Sequence, residues 1–273
     1  AEIAADVDML LSSLSNDQRD RLAGIGVTTP GNFGPLLAHI GAPPCVIEAW
    51  AKVDVGPRLT QETGLPTLWV NDGSAAAWRE ITAYPTPRPK GLASFFVGTF
   101  VGGGVVSEGS LVEGPYGNGA DLGAIVVHDR AGRPAYLHLT ASLHALVLKA
   151  IDAGHTAPVG SPRKWDWAGL APVVAQWLDD AGHALAQAVL STTAMTEVDI
   201  VALNGDLPES ILSRLVESTS AHLAQFPVLL AHRPRLTMGL GGPSAAALGA
   251  AQLLLFRRHF SRAWELFDPA QDK

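Results

Sequence analysis

The carboxylate of Asp72 stands where a side chain of this chain has most chance to meet a ligand. It follows Asn71 and precedes Gly73-Ser74-Ala75-Ala76-Ala77, between the apolar run Thr67–Val70 and an alanine-rich stretch of helical character. A strand that hands over to a helix leaves its last residues at the carboxyl end of the sheet, where the loops of an open α/β fold converge on ligands. There a carboxylate either accepts hydrogen bonds from a ligand's hydroxyl groups or caps the free N–H groups of the helix start. Four glycine-bearing loops could complete such a site: Thr29-Pro30-Gly31, Gly98-Thr99 through Gly104, Gly114 to Gly123, and Asn204-Gly205. Glycine lets a backbone approach a ligand closely or take a positive φ, so such loops cradle phosphates or sugars. Each loop alone reads first as a turn, and no Gly-Lys-Ser/Thr follows the cluster at Gly102–Gly104, so it is not a P-loop. His128 and His138 lack the further thiolates or imidazoles of a tetrahedral metal site and read as surface or core residues. Trp165, Trp167 and Trp177 could stack on a sugar, but in an amphipathic stretch they read as core or interface anchors.

The elements that must position these residues follow from periodicity. Apolar residues recur at helical spacing from Ile3 to Leu14, and Leu22–Val27 reads as a short buried strand ending in Thr28-Thr29-Pro30-Gly31. A second unit runs from Val55 through a helix to Gly64-Leu65-Pro66, then the strand Thr67–Val70, then the helix that Asn71-Asp72 opens. The segment Tyr84-Pro85-Thr86-Pro87-Arg88-Pro89 resists both helix and ladder and reads as a hinge or lobe boundary. The stretch from Leu92, through the glycine cluster to Glu108-Gly109, reads as an antiparallel hairpin meander. Beyond Ser142 the pattern is mostly helical, with a long amphipathic stretch around Trp167–Leu190, a strand Ile200–Leu203 and a final helix from Ser244.

With 273 residues, 47% hydrophobic and 16% charged, the chain is long enough to bury a large core. A formal net charge of −7 with dispersed charges gives it no nucleic-acid-binding face, so any contact with DNA is expected through another segment. The single cysteine, Cys45, cannot form an intramolecular disulfide, which fits the cytoplasm. No apolar run reaches the roughly 20 residues of a membrane span, and no targeting signal is expected.

The order of these motifs resembles that of the ROK family of repressors and sugar kinases, over a stretch from about Leu22 to Leu255. The family's Asn-Asp before an alanine-rich helix is similar to Asn71-Asp72-Gly73-Ser74-Ala75-Ala76-Ala77, and its Gly-Thr-Gly-x-Gly-Gly-Gly loop to Gly98-Thr99-Phe100-Val101-Gly102-Gly103-Gly104. Its Gly-Glu-x-Gly-His resembles Ala120-Asp121-Leu122-Gly123-Ala124, and its adenosine-side helix resembles Gly242-Pro243-Ser244 through Leu248-Gly249-Ala250-Ala251. The resemblance implies an α/β fold of two lobes, the actin-like ATPase (ribonuclease H-like) architecture. Residues 1–90 would form a partial N-terminal lobe and 91–273 a C-terminal lobe whose terminal helix packs back toward the first. It implies Asp72 as the catalytic base toward a sugar hydroxyl, and Gly31, Asn71, Asp72, Asn118, Asp121 and His138 as sugar-binding residues. Gly98, Thr99, Gly102, Gly103 and Gly205 fall on the nucleotide side. A sugar hydroxyl is a poor nucleophile, and a positioned carboxylate both orients it and accepts its proton as a phosphoryl group arrives.

The departures from the family pattern point away from catalysis. The family's first phosphate motif, Asp-x-Gly-x-Thr, has no counterpart here, and the chain is expected to be a fragment, because a lobe without its first hairpin exposes a sheet edge. Phe100 replaces a glycine of the phosphate loop, where its side chain is expected to take space that a nucleotide phosphate or its metal needs. Many family members hold a structural zinc with a histidine and three cysteines. Aligned without gaps, those positions fall on Ala124, Asp129, Ala131 and Tyr136, so no zinc is expected. On the sugar side the family's glutamate becomes Asp121, its histidine Ala124, and the glutamate after the last cysteine His138. Replaced acceptors change which sugar fits or abolish its binding.

The expectation is therefore a sugar-sensing effector domain of a ROK-type transcriptional regulator, reaching DNA only through a segment outside this chain and forming a homo-oligomer. The alternative is an ATP-dependent hexose or N-acyl-hexosamine kinase using ATP and Mg. A third possibility is a degenerate scaffold that binds nothing. Fold alone does not choose among them.

Overall fold

The computed structural model describes residues 2–31, 34–52, 54–227 and 233–260. The chain opens with α1 (Glu2–Ser12) and α2 (Asn16–Asp20), then β1 (Ile25–Thr29), α3 (Gly34–His39), α4 (Pro44–Lys52), α5 (Val55–Thr63), β2 (Thr67–Asn71) and α6 (Asp72–Ala83). Next come β3 (Gly91–Val97), β4 (Val101–Ser107), β5 (Ser110–Leu111), β6 (Val126–His128), β7 (Pro134–Tyr136), α7 (Leu137–Thr140) and α8 (Leu143–Asp152). The rest is α9 (Ala171–Thr196), β8 (Ile200–Gly205), α10 (Glu209–Leu223), β9 (Arg235–Met238) and α11 (Ala245–His259).

Local chemistry sets the ends that matter. Gly64 closes α5 in the left-handed region at φ 70°, which turns the chain into β2. Asn71, not Asp72, is the N-cap of α6, its side chain accepting from the Ser74 N–H. Ser142 caps α8 in the same way through the Ala145 N–H.

β1 and β2 form a parallel pair in the register Ile25↔Thr67 to Thr29↔Asn71, so the loop Pro30-Gly31 and the residues Asn71-Asp72 leave the same edge. A five-stranded sheet has the order β5-β4-β3-β8-β9, with β3, β8 and β9 parallel and β4 antiparallel to β3. Its two faces are filled differently. Ala93, Phe95 and Val97 of β3 join Trp177, Leu185 and Val189 of α9 and Leu146 of α8 in one core. Leu92, Val106 and Ile200 join Val70, Ala77, Trp78 and Leu253 in the other, so α6 and α11 lie on the opposite face. The alternation along β3 is the period of a strand with both faces covered. Trp177 is fully buried and its indole N–H donates to the Ser142 carbonyl, as an anchor rather than a sugar platform. Trp165 and Trp167 stack on one another at 5.8 Å and pack against the same core.

Three differences from the sequence reading have physical causes. The first strand runs Ile25–Thr29 rather than Leu22–Val27 and is half-buried, because the ladder to β2 fixes its register. Gly102, Gly103 and Gly104 lie inside β4, and the turn falls at Gly98–Phe100. α6 lies almost on the strand at two of these positions: a Cβ at Gly73 would strike the Gly103 backbone, and one at Gly104 would come within 2.9 Å of Ala77 Cβ. The short strands β6, β7 and β9 carried too little periodicity to stand out from the loops around them.

Candidate functional site

The parallel β1–β2 pair delivers the first group of residues. Asn71 uses both ends of its amide: Oδ1 caps α6, and Nδ2 donates to Asn118 Oδ1 at 3.2 Å. Asn118 Nδ2 donates to Asp121 Oδ2 at 3.4 Å, and Asp121 Oδ1 lies 3.7 Å from His138 Nε2. Gly31 is the close neighbour of Asn118, since a Cβ there would run into the amide. Gly31, Asn71, Asn118, Asp121 and His138 thus form one polar chain crossing from the β1–β2 edge to the start of α7.

Asp72 begins α6 beside this chain, with its Oδ1 accepting from the Gly73 N–H at 2.8 Å. Its pKa is raised above the ordinary carboxylate value, first by burial and further by the negative charge of Asp121, while the N–H groups of Gly73 and Asp72 oppose the shift. A carboxyl group with a raised pKa, half-buried at a strand end, has the properties of a general base waiting for a polar ligand.

His138 is held tightly. A Cβ at Gly123 would strike its ring and the Val101 carbonyl, so the glycine makes room for the imidazole. Its Nδ1 is buried without a hydrogen-bond partner, and the Phe100 ring meets it edge-on at 6.1 Å. Phe100 also lies 5.5 Å from His144 at the start of α8, so its ring sits against α7 and α8.

The second group gathers at the carboxyl ends of β3 and β8, where Val97 pairs with Gly205. Gly98 and Thr99 follow at once, their carbonyls accepting from the Leu143 and His144 N–H groups at 2.9 and 3.1 Å. Thr99 is exposed, and the space around Gly102 is open. Gly103, by contrast, is enclosed by Ser94 and Leu122, so packing accounts for that glycine without a ligand. Arg163 reaches this edge, pairing with Asp206 at 3.1 Å and donating to the Gly205 carbonyl.

One constellation escaped the sequence reading. Glu80, fully buried two turns beyond Asp72 on α6, accepts from the Leu240 N–H at 2.8 Å, the Gly241 N–H at 2.7 Å and Asn204 Nδ2 at 3.3 Å. Asn204 Nδ2 also donates to Ser94 Oγ at 3.0 Å. The helix that carries Asp72 is thereby tied to the end of β8 and the turn after β9. The signal available was a glutamate on a helix whose neighbours Ala76, Ala77 and Ile81 are apolar, a type rarely buried unless paired.

A family model described as the ROK family matches residues 3–256. The chain belongs to the ROK family. Protein y4fQ of Sinorhizobium fredii is 30% identical over 260 residues, 95% of this chain and 64% of its own length. The N-acetylmannosamine kinase of Escherichia coli strain SE11 is 33% identical over 245 residues, 85% of this chain and 80% of its own. A ROK hexokinase from Thermus thermophilus superposes with a TM-score of 0.61 at 24% identity, covering 85% of this chain and 78% of its own. The chain therefore spans less than two thirds of y4fQ and most of the other two. Its fold is the two-lobed α/β fold of the actin-like ATPases.

Two groups associated with ROK proteins can be tested against the residues present. At the positions where the resemblance puts zinc ligands, Ala124 and Ala131 have no donor, Tyr136 is half-exposed, and the Asp129 carboxylate is already occupied by four protein N–H groups. That set does not fit zinc. For ATP, Thr99 is exposed in the turn between β3 and β4, and the space a Cβ would take at Gly102 just after it is open, which leaves room for a phosphate chain at the carboxyl end of β3.

Proposed function

We propose that this chain forms the sugar-binding and phosphoryl-transfer cleft of an ATP-dependent kinase for a hexose or N-acyl-hexosamine. The observation that carries the reading is Asp72, a half-buried carboxyl with a raised pKa at the end of β2, beside the linked amides and carboxylate of Asn71, Asn118 and Asp121. In this reading Asp72 orients a sugar hydroxyl and takes its proton, while Asn71, Asn118, Asp121 and His138, with Gly31 beneath them, bind the remaining hydroxyls. Gly98, Thr99, Gly102 and Gly205 line the nucleotide side, while Gly103, named with them in sequence, is packed between Ser94 and Leu122, and ATP with Mg supplies the phosphoryl group. Residues 1–90 belong to one lobe and 91–273 to the other, of which 1, 32, 33, 53, 228–232 and 261–273 lie outside the described residues. The enzyme works in the cytoplasm, where ATP is held.

The names of the relatives favour this kinase over the regulator domain expected from the departures in sequence. The regulator reading keeps one specific observation, the Phe100 ring in the turn between β3 and β4 where the family keeps glycine. DNA contact through a segment outside the chain and a homo-oligomer belong to that second reading.

The test is ADP release by the full-length protein that carries this chain, with Mg·ATP and a panel of hexoses and N-acyl-hexosamines. Turnover of about 1–100 per second with at least one sugar is expected, the ordinary kinase range. Saturable sugar binding with no ADP formed on any member of the panel would instead mark an effector domain.

A further inference from the structure

The hairpin β6–β7 occupies the stretch where the resemblance puts zinc, yet it is well organised. Asp129 stands at its turn. Oδ1 accepts from the backbone N–H groups of Ala131 and Arg133, each at 2.9 Å, and Oδ2 receives Arg133 Nε at 2.8 Å and Nη2 at 2.7 Å. Backbone bonds from Asp129 N to the Arg133 carbonyl and from Gly132 N to the Asp129 carbonyl, both 2.9 Å, close the same turn. Gly132 supplies the positive φ of 76° that this turn requires.

The hairpin is also fastened from outside. Gln187 of α9 bonds both backbone groups of His128, its Oε1 accepting the N–H at 2.9 Å and its Nε2 donating to the carbonyl at 2.8 Å. This is the pattern of a ladder rung made by a side chain. Arg130 reaches Asp179 of α9 at 3.4 Å, and Val127 and Leu137 are sunk in the core.

The placement gives the hairpin a task. Residues 122–137 join Asp121 to His138, and the Leu137 N–H donates to the Ile125 carbonyl at 3.0 Å, so the neck of the hairpin holds these two side chains side by side. We propose that Asp129 is a positioning residue: its carboxylate, clasping Arg133 and the turn, organises this segment without a metal and keeps Asp121 and His138 in register across the site. A single anionic centre receiving several N–H groups does for a short turn what a cation receiving several lone pairs does, since both replace chain entropy by a fixed point of convergence. The pKa of Asp129, lowered first by the Arg133 N–H, agrees with a carboxylate bonded in its charged form. The consequence for a sugar rests on the reading above; the clasp does not.

Amide hydrogen exchange on the full-length protein separates the two. In wild type the β6–β7 amides should be protected, and EDTA should leave that protection and the melting temperature unchanged. Asp129→Ala should speed exchange at Val127, Asp129 and Ala135 by about tenfold or more while β3 and β8 stay protected, with Asp129→Asn between the two because it keeps one acceptor. Sugar KM should rise in the same order with kcat changed less. Should Asp129→Ala fail to fold, Gln187→Ala reads the same hairpin from its α9 side. Unchanged hairpin exchange in Asp129→Ala or Asp129→Asn, or wild-type protection that EDTA abolishes, would overturn the proposal whether or not a sugar is ever turned over.

Discussion

At Asp72 burial and the charge of Asp121 act in the same direction, favouring the protonated carboxyl. Two consequences follow with opposite signs. As a base the group must be ionised, so turnover should rise with pH through its raised pKa and level off above it, read as the acid limb of a kcat/KM profile. For the fold the raised value means that the native state holds the proton more tightly than the unfolded chain. That contribution to stability is fully present below the ordinary carboxylate pKa, about 3.9, and is lost as pH rises through the native value. At neutral pH the ionised carboxylate is therefore a burden on the fold, and Asp72→Asn should melt at the same temperature as wild type or higher. A clear drop in melting temperature would make Asp72 structural. The helix start does not depend on the carboxylate, since the cap is Asn71.

Helix α6 is the element on which the account turns, because Asp72 opens it and Glu80 anchors it. Removing the Glu80 side chain would leave the Leu240 and Gly241 N–H groups without their acceptor and the Asn204 amide with Ser94 Oγ as its remaining one. Each such loss costs about 1–3 kcal/mol, so Glu80→Ala should lower unfolding stability by about 3 kcal/mol or more in denaturant titration, with Glu80→Gln intermediate. A loss under about 0.5 kcal/mol, the range of an ordinary surface substitution, would show that the network is ornamental. At the other end of the helix, Gly73→Ala would press a methyl group into the Gly103 backbone, which cannot rotate aside. Overpacking of that kind costs about 1–3 kcal/mol and should be visible as a lowered melting temperature. These contacts also explain how much could be read in advance. The strand–Asn71-Asp72–helix junction was legible because a change of period from two to 3.6 marks it in the sequence. The glycines of β4 were misplaced into a turn because what Gly103 and Gly104 make room for lies on other elements, Ser94 and Leu122 for Gly103 and α6 for Gly104, which no local pattern contains. Glu80 was passed over for the same cause: its partners lie 124 and 160 residues away along the chain.

In the whole molecule, α11 closes the assembly by packing against α6 and β1 through glycines. Gly249 lies against the Ala75 carbonyl, and Gly26 of β1 would carry a Cβ only 2.6 Å from the Ala250 backbone. Arg257 at its end pairs with Glu113, which stands before the loop of Asn118 and Asp121, and Arg258 donates to the Ala23 carbonyl at 2.6 Å. One helix thus contacts several supports of the first group of site residues. This convergence was legible only in outline: the motif order pointed to it, while the hydrogen bond from Asn71 to Asn118 spans 47 residues and the approach of Asp121 to His138, at 3.7 Å, depends on the hairpin between them. The central claim is that these residues bind a sugar whose hydroxyl gives its proton to Asp72. It is tested most directly by measuring sugar affinity and phosphoryl transfer side by side for full-length wild type and Asp72→Asn. Asp72→Asn should keep sugar affinity within about tenfold, one lost charge-assisted hydrogen bond, while turnover falls by about 10²–10⁴, the worth of a general base. Turnover equal to that of wild type in Asp72→Asn would contradict it.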